Sequence, residues 1–542
     1  MPTLNWIGKD KIVNHHQEVP FKTLEHKYGF KAKEGKIEAE THSGNKIIHG
    51  DNLQALKSLL PQYEGKIKCI YIDPPYNTGN KTWVYNDNVS HPKINKWLGE
   101  TVGKEGEDLS RDDKWLCMMY PRLKLLRKLL AEDGIIFISI DDYAYHNLLN
   151  ICFEIFGKKN KIATTIWDLG TGTQAGHFVR SHEYVLAFAK NKDQVPNFKG
   201  GEGIIKHSAL KKISKKNPAS EFEFPIGTRF DAHDDVSLEE SWGGSEKTTL
   251  IKGKMQASNG ILKSPVTLRA GWAMKSQMEN WFYNNPDETY DTKGQKVKEF
   301  YFNKNGVLTY IKEKSVTNPP TVLRELGSTK TGSKELTALI GDNKFDFPKP
   351  TELIKFLLKL VTRDGDIILD SFAGTGTTGQ AVLSLNKEDG ANRKFILVEL
   401  EDYAENVTSG RIENSIRKYG FDEAKFDFCE LGQSIFDENQ NLNEEVGTNK
   451  IKEYIWYSET RTSFSQFEDD NSKEYLGTKD GTAYYFIYEP DNLTTLDYET
   501  LSKIKIKAEQ YIVYADNCLL SKDFLTKHNI IFKKIPRDIT RF

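Results

Sequence analysis

From about residue 45 onward, short apolar runs alternate with longer segments of helical periodicity. "NKIIHGD" and "KCIYIDPPY" read as strands, with the helix "NLQALKSLL" between them. After a polar stretch come the helix "WLCMMYPRLKLLRKLLAEDG", the strand "IIFISIDD", the helix "YHNLLNICFEIFG" and the strand "EYVLAFAK". This βαβ rhythm predicts an α/β domain with a parallel sheet covered on both faces. Near Asn191 the rhythm breaks. Residues 191–340 hold short irregular runs rich in Gly, Ser, Thr and Asn, and read as a separate inserted domain. The rhythm returns with the helix "KPTELIKFLLKLV", the strand "GDIILDSFAG", the helix "TTGQAVLSLN" and the strand "KFILVEL", so one sheet is interrupted and then completed. The expected organisation is an N-terminal extension at 1–44, one half of the sheet at 45–190, the insert at 191–340 and the other half at 341–430. An acidic, Asn-rich linker, "DENQNLNEEV", then leads to a small C-terminal α/β domain at 440–542 with the strands "TAYYFIYEP" and "QYIVYAD".

Two loops at strand ends stand out. In "IKCIYIDPPYNTGN" the apolar run stops at Pro74 and Pro75, which can donate no ladder hydrogen bond, so Asp73 to Tyr76 leaves the sheet as a stiff loop. The carboxyl end of a buried parallel strand is where an open α/β sheet binds its ligands. The second loop, "ILDSFAGTGTTG", follows a strand ending in Asp370 and carries Gly374, Gly376 and Gly379 before a helix, which suits close backbone approach of a ligand and capture at free N–H groups. Glu399 ends the next strand, where a ribose-binding acid belongs. Taken alone, this second loop is a weak signal: a dinucleotide-dependent dehydrogenase is one reading, and a tight packing turn without a ligand is the plainer one.

Composition narrows the classes. A chain of 542 residues is too long for one core, and 75 basic against 77 acidic side chains give a net charge of -2 that advertises no nucleic-acid partner. A basic cleft can nonetheless sit on a neutral protein. The insert carries "IKHSALKKISKK", a lysine cluster without an acid, and the aromatics Trp272, Trp281, Phe282 and Tyr283. Such lysines are either a solvated face or phosphate contacts. Five widely spaced cysteines with no C-x-x-C predict neither a disulfide framework nor a metal site. No segment approaches the roughly 18 apolar residues that span a bilayer, and the N-terminus lacks a signal-peptide core, so a cytoplasmic protein without membrane contact is expected.

The two loops together resemble the amino-methyltransferases of DNA, whose signatures are D/N/S-P-P-Y/F/W and F-x-G-x-G. Here they are Asp73-Pro74-Pro75-Tyr76 and Phe372-Ala373-Gly374-Thr375-Gly376. The order, with the catalytic loop first and an insert between, is similar to the family's beta arrangement. "HGDN" with Asp51, "FPKPTELI" with Lys349 and "SHEYVLAFAK" are similar to further family motifs, and the two ends of the chain resemble modification subunits of type III restriction systems. The resemblance implies a Rossmann-like methyltransferase sheet in permuted motif order, with the insert as target-recognition domain. It implies S-adenosylmethionine as cofactor, held by Asp51, Lys349, Asp370, Phe372, Ala373, Gly374, Gly376 and Glu399, and catalysis by Asp73, Pro74, Pro75 and Tyr76. Double-stranded DNA and a nuclease and translocase partner subunit are the implied partners; a homodimer is also expected, and the C-terminal domain is assigned to assembly, either self-association or docking of the restriction subunit.

The chemistry suits the residues. An exocyclic amine of adenine is a poor nucleophile because its lone pair is delocalised; a carboxylate at Asp73 and the Pro74 carbonyl can accept its two hydrogens and free that lone pair. Tyr76 offers a ring for a base flipped out of the duplex. The resemblance favours adenine N6 over cytosine N4, because Asp leads the motif. The competing readings are an NAD(P)-dependent dehydrogenase and a DNA-recognition subunit with a decayed fold. Each residue also has a plainer role: Asp73 as a turn cap, Tyr76 as a core aromatic, Asp51 as the N-cap of "NLQALKSLL", Asp370 as a backbone-fixing acid, Lys349 as a solvated charge. Asn318-Pro319-Pro320-Thr321 imitates the first signature but lacks the aromatic and the strand, and reads as an ordinary turn.

Overall fold

The structure, a computed structural model, describes residues 3–77, 110–175, 177–198, 204–232, 236–313, 318–341, 345, 347–437, 439–464 and 473–537. The polar stretch after Tyr76 lies largely outside them. The chain divides into two compact units, Met1–Pro196 with Thr321–Phe542, and Asn197–Pro320.

The larger unit is built on eleven strands: β1 (Lys22–Lys31), β2 (Gly35–Ile37), β3 (Lys46–His49), β4 (Ile67–Ile72), β5 (Leu130–Ile140), β6 (Lys161–Ala175), β7 (Phe178–Ala189), β8 (Val322–Leu323), β9 (Ile367–Asp370), β10 (Lys394–Glu399) and β11 (Lys425–Ser434). Their spatial order is β8-β6-β7-β5-β4-β9-β10-β3-β11-β1-β2. The run from β5 through β4, β9, β10 and β3 to β11 is parallel. Cys69, Ile70, Tyr71 and Ile72 are all buried in succession, which requires cover on both faces of β4. Helices α1 (Asn52–Tyr63), α2 (Arg111–Leu129), α3 (Asp142–Phe156), α4 (Thr329–Ile340), α5 (Thr351–Val361), α6 (Thr377–Asp389) and α7 (Gly410–Tyr419) supply that cover. In α5 the buried residues Leu353, Ile354, Leu357, Leu358 and Val361 recur at helical spacing and make one apolar stripe. This is the permuted Rossmann-like sheet that the resemblance implies. Strand order reverses between β4 and β9: the chain after β4 builds outward on one side, and the chain after β9 builds outward on the other.

Several expectations need correction. The segment before β7 is itself a strand, β6, paired with β7 as an antiparallel hairpin, and β7 runs against the parallel set. Over 161–170 only Trp167 is fully buried, so β6 shows no apolar run to betray it. α2 ends at Leu129 rather than running to Gly134, because Leu130 turns extended (φ -59°, ψ 137°) and pairs with Ile67. The segment 1–44 is not an appendage: β1 and β2 complete one edge of the sheet through β11. Residues 321–340 belong to the larger unit, where Val322 and Leu323 pair with Ile166 and Trp167 and Asn414 of α7 donates to the Leu339 carbonyl. The Asn-Pro-Pro-Thr imitation of the signature precedes β8 and forms neither helix nor strand.

The C-terminal segment has its own four-stranded sheet, β12 (Tyr475–Lys479), β13 (Thr482–Phe486), β14 (Gln510–Ala515) and β15 (Ile530–Lys534), but it does not stand apart from the larger unit. Helix α8 (Thr448–Thr460) sets Tyr457 against Phe21, and its hydroxyl donates to Glu64 at the end of α1. The acidic lead-in is packed rather than free: Leu442 is buried, and Arg537 pairs with Glu444 at 2.7 Å.

The smaller unit is β-rich. Strands 220–224, 266–270 and 248–252 form one sheet and 204–208, 308–313 and 297–302 another. Phe222, Phe224, Phe230, Trp272, Phe300 and Phe302 fill its core. Lys211, Lys212, Lys215 and Lys216 are exposed. Among the described residues no helix is long and apolar enough to cross a membrane.

Candidate active site

Asp73, Asp370 and Glu399 stand at or just beyond the ends of the adjacent strands β4, β9 and β10, and Asp51 follows β3, their next neighbour. Four acids therefore gather at one edge of the sheet, around the reversal of strand order where such folds bind ligands.

The first loop is fixed from α2. Trp115 Nε1 donates to the Pro75 carbonyl at 2.6 Å, and Asn77, in the left-handed region at φ 62°, donates from Nδ2 to Asp112 Oδ1 at 2.7 Å. Both prolines lie beyond the strand, where their rings fix φ, so Asp73 and Tyr76 emerge on a stiff segment. The Tyr76 hydroxyl lies 2.7 Å from Asp73 Oδ1 and 3.0 Å from Glu183 Oε2 on β7. Lys349 Nζ lies 2.7 Å from Asp73 Oδ2 and 3.6 Å from Glu183 Oε2, and 4.9 Å from the Tyr76 ring centre. Lys349 is only 7% exposed, so the solvated reading does not apply to it. Burial opposes its charge, yet the two carboxylates outweigh burial and raise its pKa. Burial, reinforced by the same two carboxylates, lifts the Tyr76 phenol well above its usual range, so it stays protonated.

The second loop is held from beneath. Gly376 caps α6 at φ 83°, and a Cβ there would sit 2.9 Å from the Thr408 carbonyl. The glycine is thus required by a backbone conformation and by packing, not only by ligand approach. The Gly374 N–H donates to Glu399 Oε2 at 2.7 Å, and Asp370 accepts from the Phe372 N–H at 3.0 Å and the Thr378 hydroxyl at 2.5 Å. Burial pushes both acids up to about 7 despite these hydrogen bonds. Arg411 of α7, fully buried, donates to the hydroxyls of Thr375 and Thr377 at 2.9 and 2.6 Å and to Gln380 at 2.7 Å. Burial lowers even its guanidinium to about 10.

Asp51 does act as the N-cap of α1, accepting from the Gln54 N–H at 3.0 Å, while its other oxygen pairs with Arg122 at 3.2 Å. Arg122 also donates to Asn52 Oδ1 at 2.5 Å, and Asn52 Nδ2 donates to the Ser371 carbonyl at 2.9 Å. A hydrogen-bonded chain thus ties the end of β3 to the second loop.

An open cleft connects the two loops. Asp73, Lys349, Asp370, Phe372, Ala373 and Gly374 line it, joined by Tyr71, Phe347 and Thr378. Asp51, Pro74, Pro75, Tyr76, Gly376 and Glu399 are outside this lining; Glu399 supports the loop through the Gly374 N–H. Carboxyls outnumber the one buried ammonium here, so the cleft suits a cationic ligand with an apolar portion. Glu183, Arg411, Arg122 and Trp115 were not anticipated as site residues. Glu183 lies in "SHEYVLAFAK", and Trp115 and Arg122 in the helix "WLCMMYPRLKLLRKLLAEDG", where nothing in the local pattern singles them out.

Comparison with known proteins agrees in kind. The sequence model of a family described as DNA methylase matches residues 67–409. The Mod subunit of the type III restriction-modification enzyme StyLTI from Salmonella typhimurium is 33% identical over 395 residues, covering 68% of this chain and 54% of that protein. The EcoPI Mod subunit of Escherichia phage P1 is 33% identical over 428 residues, covering 74% and 64%. The type II methyltransferase M.KpnI of Klebsiella pneumoniae is 29% identical over 66% of this chain and 81% of its own length. The chain spans between about half and two thirds of the length of these Mod subunits.

Proposed function

The chain belongs to the DNA methylase family, and on that premise we propose that it is a site-specific DNA methyltransferase that methylates the N6 amino group of a flipped-out adenine, using S-adenosylmethionine, as the modification subunit of a type III-like restriction system. The observation that carries the reading is the shared cleft: the Asp73 carboxylate and the Phe372–Gly376 loop end neighbouring strands and open onto the same space. The cofactor fits the residues present. Asp73 and Asp370 offer negative charge to a sulfonium, and Phe372 and Phe347 offer apolar surface. Bound there, the cofactor supplies an electrophilic methyl group.

The chain's own part is positioning. Asp73 has its two oxygens engaged by Tyr76 and Lys349, and a carboxylate oxygen can accept more than one hydrogen bond, so the group can also accept an amino hydrogen of the base. The Pro74 carbonyl takes the second hydrogen, and the amine turns its lone pair toward the methyl group. The Tyr76 ring, already set against the Lys349 ammonium, stacks on the base. A dehydrogenase would leave Asp73 to Tyr76 without a task, and family membership removes that reading.

The same loop could activate either amine; adenine is favoured over cytosine by the resemblance, in which Asp leads the usual adenine form of the motif and Ser is commoner for cytosine, and a carboxylate is a stronger, charge-assisted acceptor than a hydroxyl. The Mod relatives support the type III assignment and a restriction partner. Residues 197–320 read the sequence in this proposal, with the exposed lysines on phosphate, and the C-terminal segment serves assembly of a homodimer or docking of the partner. The test is to incubate the protein with labelled S-adenosylmethionine and DNA, then digest to nucleosides. N6-methyladenine is expected; a dominant N4-methylcytosine peak overturns the base assignment, and absence of transfer overturns the reading.

A further inference from the structure

Methylation creates a proton that has to leave. The nitrogen–carbon bond forms as the carbon–sulfur bond breaks with its electron pair on sulfur, and the nitrogen, now cationic, must lose one hydrogen to become the neutral methylamine. Asp73 is placed to take it. What Asp73 then does with the proton is set by its surroundings, and those surroundings hold a second carboxylate.

The Tyr76 hydroxyl stands between Asp73 Oδ1, at 2.7 Å, and Glu183 Oε2, at 3.0 Å. A phenol in that position can give its hydrogen to one carboxylate while taking a hydrogen from the other. Lys349 Nζ lies against both acids, closer to Asp73 at 2.7 Å than to Glu183 at 3.6 Å. The Lys349 ammonium therefore repels a proton passing Asp73 more strongly than one at Glu183. We propose, building on the methyltransferase reading above, that Glu183 is the terminal acceptor of the proton released by the substrate amine, reached from Asp73 through the Tyr76 hydroxyl. Glu183 is a positioning and relay residue, acting through Asp73 and Tyr76.

The charge count supports this route. Two carboxylates and one ammonium leave the cluster one negative charge, which balances one sulfonium. After transfer the sulfur is neutral, and the cluster, holding one proton, is neutral too. No uncompensated charge is created in a buried site, where it would be costly. Asp141, paired with Arg180 at 2.9 Å, and Tyr71 are further titratable groups near Glu183.

Single-turnover transfer from labelled S-adenosylmethionine to DNA tests the relay in the full chain. Glu183→Gln keeps the shape and still accepts from the Tyr76 hydroxyl but cannot bind the proton. At saturating cofactor and DNA it should slow the step at least tenfold and raise the solvent deuterium isotope effect as proton loss becomes limiting. Tyr76→Phe keeps the ring and cuts the same path, so it should slow the step similarly, and the double variant should be no slower than the slower single. Glu183→Asp should recover part of the rate. A Glu183→Gln rate within twofold of wild type, or effects that multiply in the double variant, overturns the proposal. Were Glu183→Gln to lose cofactor affinity, Tyr76→Phe alone decides: an unchanged rate and isotope effect refute the relay. Failure of the wild-type protein to methylate DNA would instead sink the methyltransferase reading itself.

Discussion

Lys349→Met should destabilise the larger unit, and do so far more at pH 8 than at pH 5. The wild-type ammonium is 7% exposed and faces side chains that are 24% (Asp73) and 10% (Glu183) exposed. Removing one partner of a buried ion pair costs about 3–5 kcal/mol because the other charge is stranded, and the partial exposure of Asp73 places this case near 3. Methionine conserves volume, so the loss is electrostatic rather than a cavity. The raised pKa of Lys349 means its contribution is intact below its unfolded value near ~10.4 and is lost only as pH rises past the folded one, so the wild type keeps it from pH 5 to 8. In the variant the two orphaned carboxyls hold protons to higher pH than in the unfolded chain. Its stability therefore falls as pH rises, by up to about 1.4 kcal/mol per pH unit for each carboxyl within its window. At roughly 2 cal/mol/K of unfolding entropy per residue, a unit of about four hundred residues shifts its melting temperature by only about 1 °C per kcal/mol. The expected deficit, read by circular dichroism melts, is about 3 °C at pH 8 and under about 1 °C at pH 5. Adding Glu183→Gln should restore part of it. An unchanged melting temperature at pH 8, or an equal deficit at both pH values, would show that the three side chains do not form the buried cluster described.

At saturating S-adenosylmethionine, Asp73→Ala should reduce methyl transfer by at least about 100-fold, as measured by label incorporated into DNA, because the carboxylate acts on the base; retention of more than a few per cent of activity would contradict that role. Gly376→Ala should weaken S-adenosylmethionine binding about tenfold or more, since a left-handed backbone and the Thr408 carbonyl 2.9 Å from the new Cβ both oppose it; wild-type titration calorimetry would remove the loop from the site. Affinity for the cationic cofactor should rise between pH 6 and 8 as Asp370 and Glu399 ionise near about 7, and a flat profile would argue that neither carboxyl feels the ligand. Exchanging residues 197–320 for those of a Mod relative should move the methylated site without changing the modified base, read by modification-sensitive sequencing.

The parallel strands and the two loops were legible because each leaves a local mark. A strand covered on both faces needs an unbroken apolar run such as Cys69 to Ile72, and a pair of prolines must end it. A sharp turn into α6 needs a glycine at Gly376. The strands β6, β1 and β2, which lie outside that central run, leave weaker marks and are not legible in the sequence. The site itself was half legible. The types and positions of Asp73, Tyr76, Asp370 and Gly374 follow from their motifs, but which of them meet depends on β4 lying beside β9 across an inserted unit. Lys349 meets Asp73 across 276 residues of chain, and Glu183 meets Tyr76 across 107. A single Glu in an apolar strand, or a single Arg such as Arg411 in an amphipathic helix, carries no sign of what it will face. Its role is conferred by burial, which removes water as an alternative partner and makes the nearest opposite charge or hydroxyl decisive.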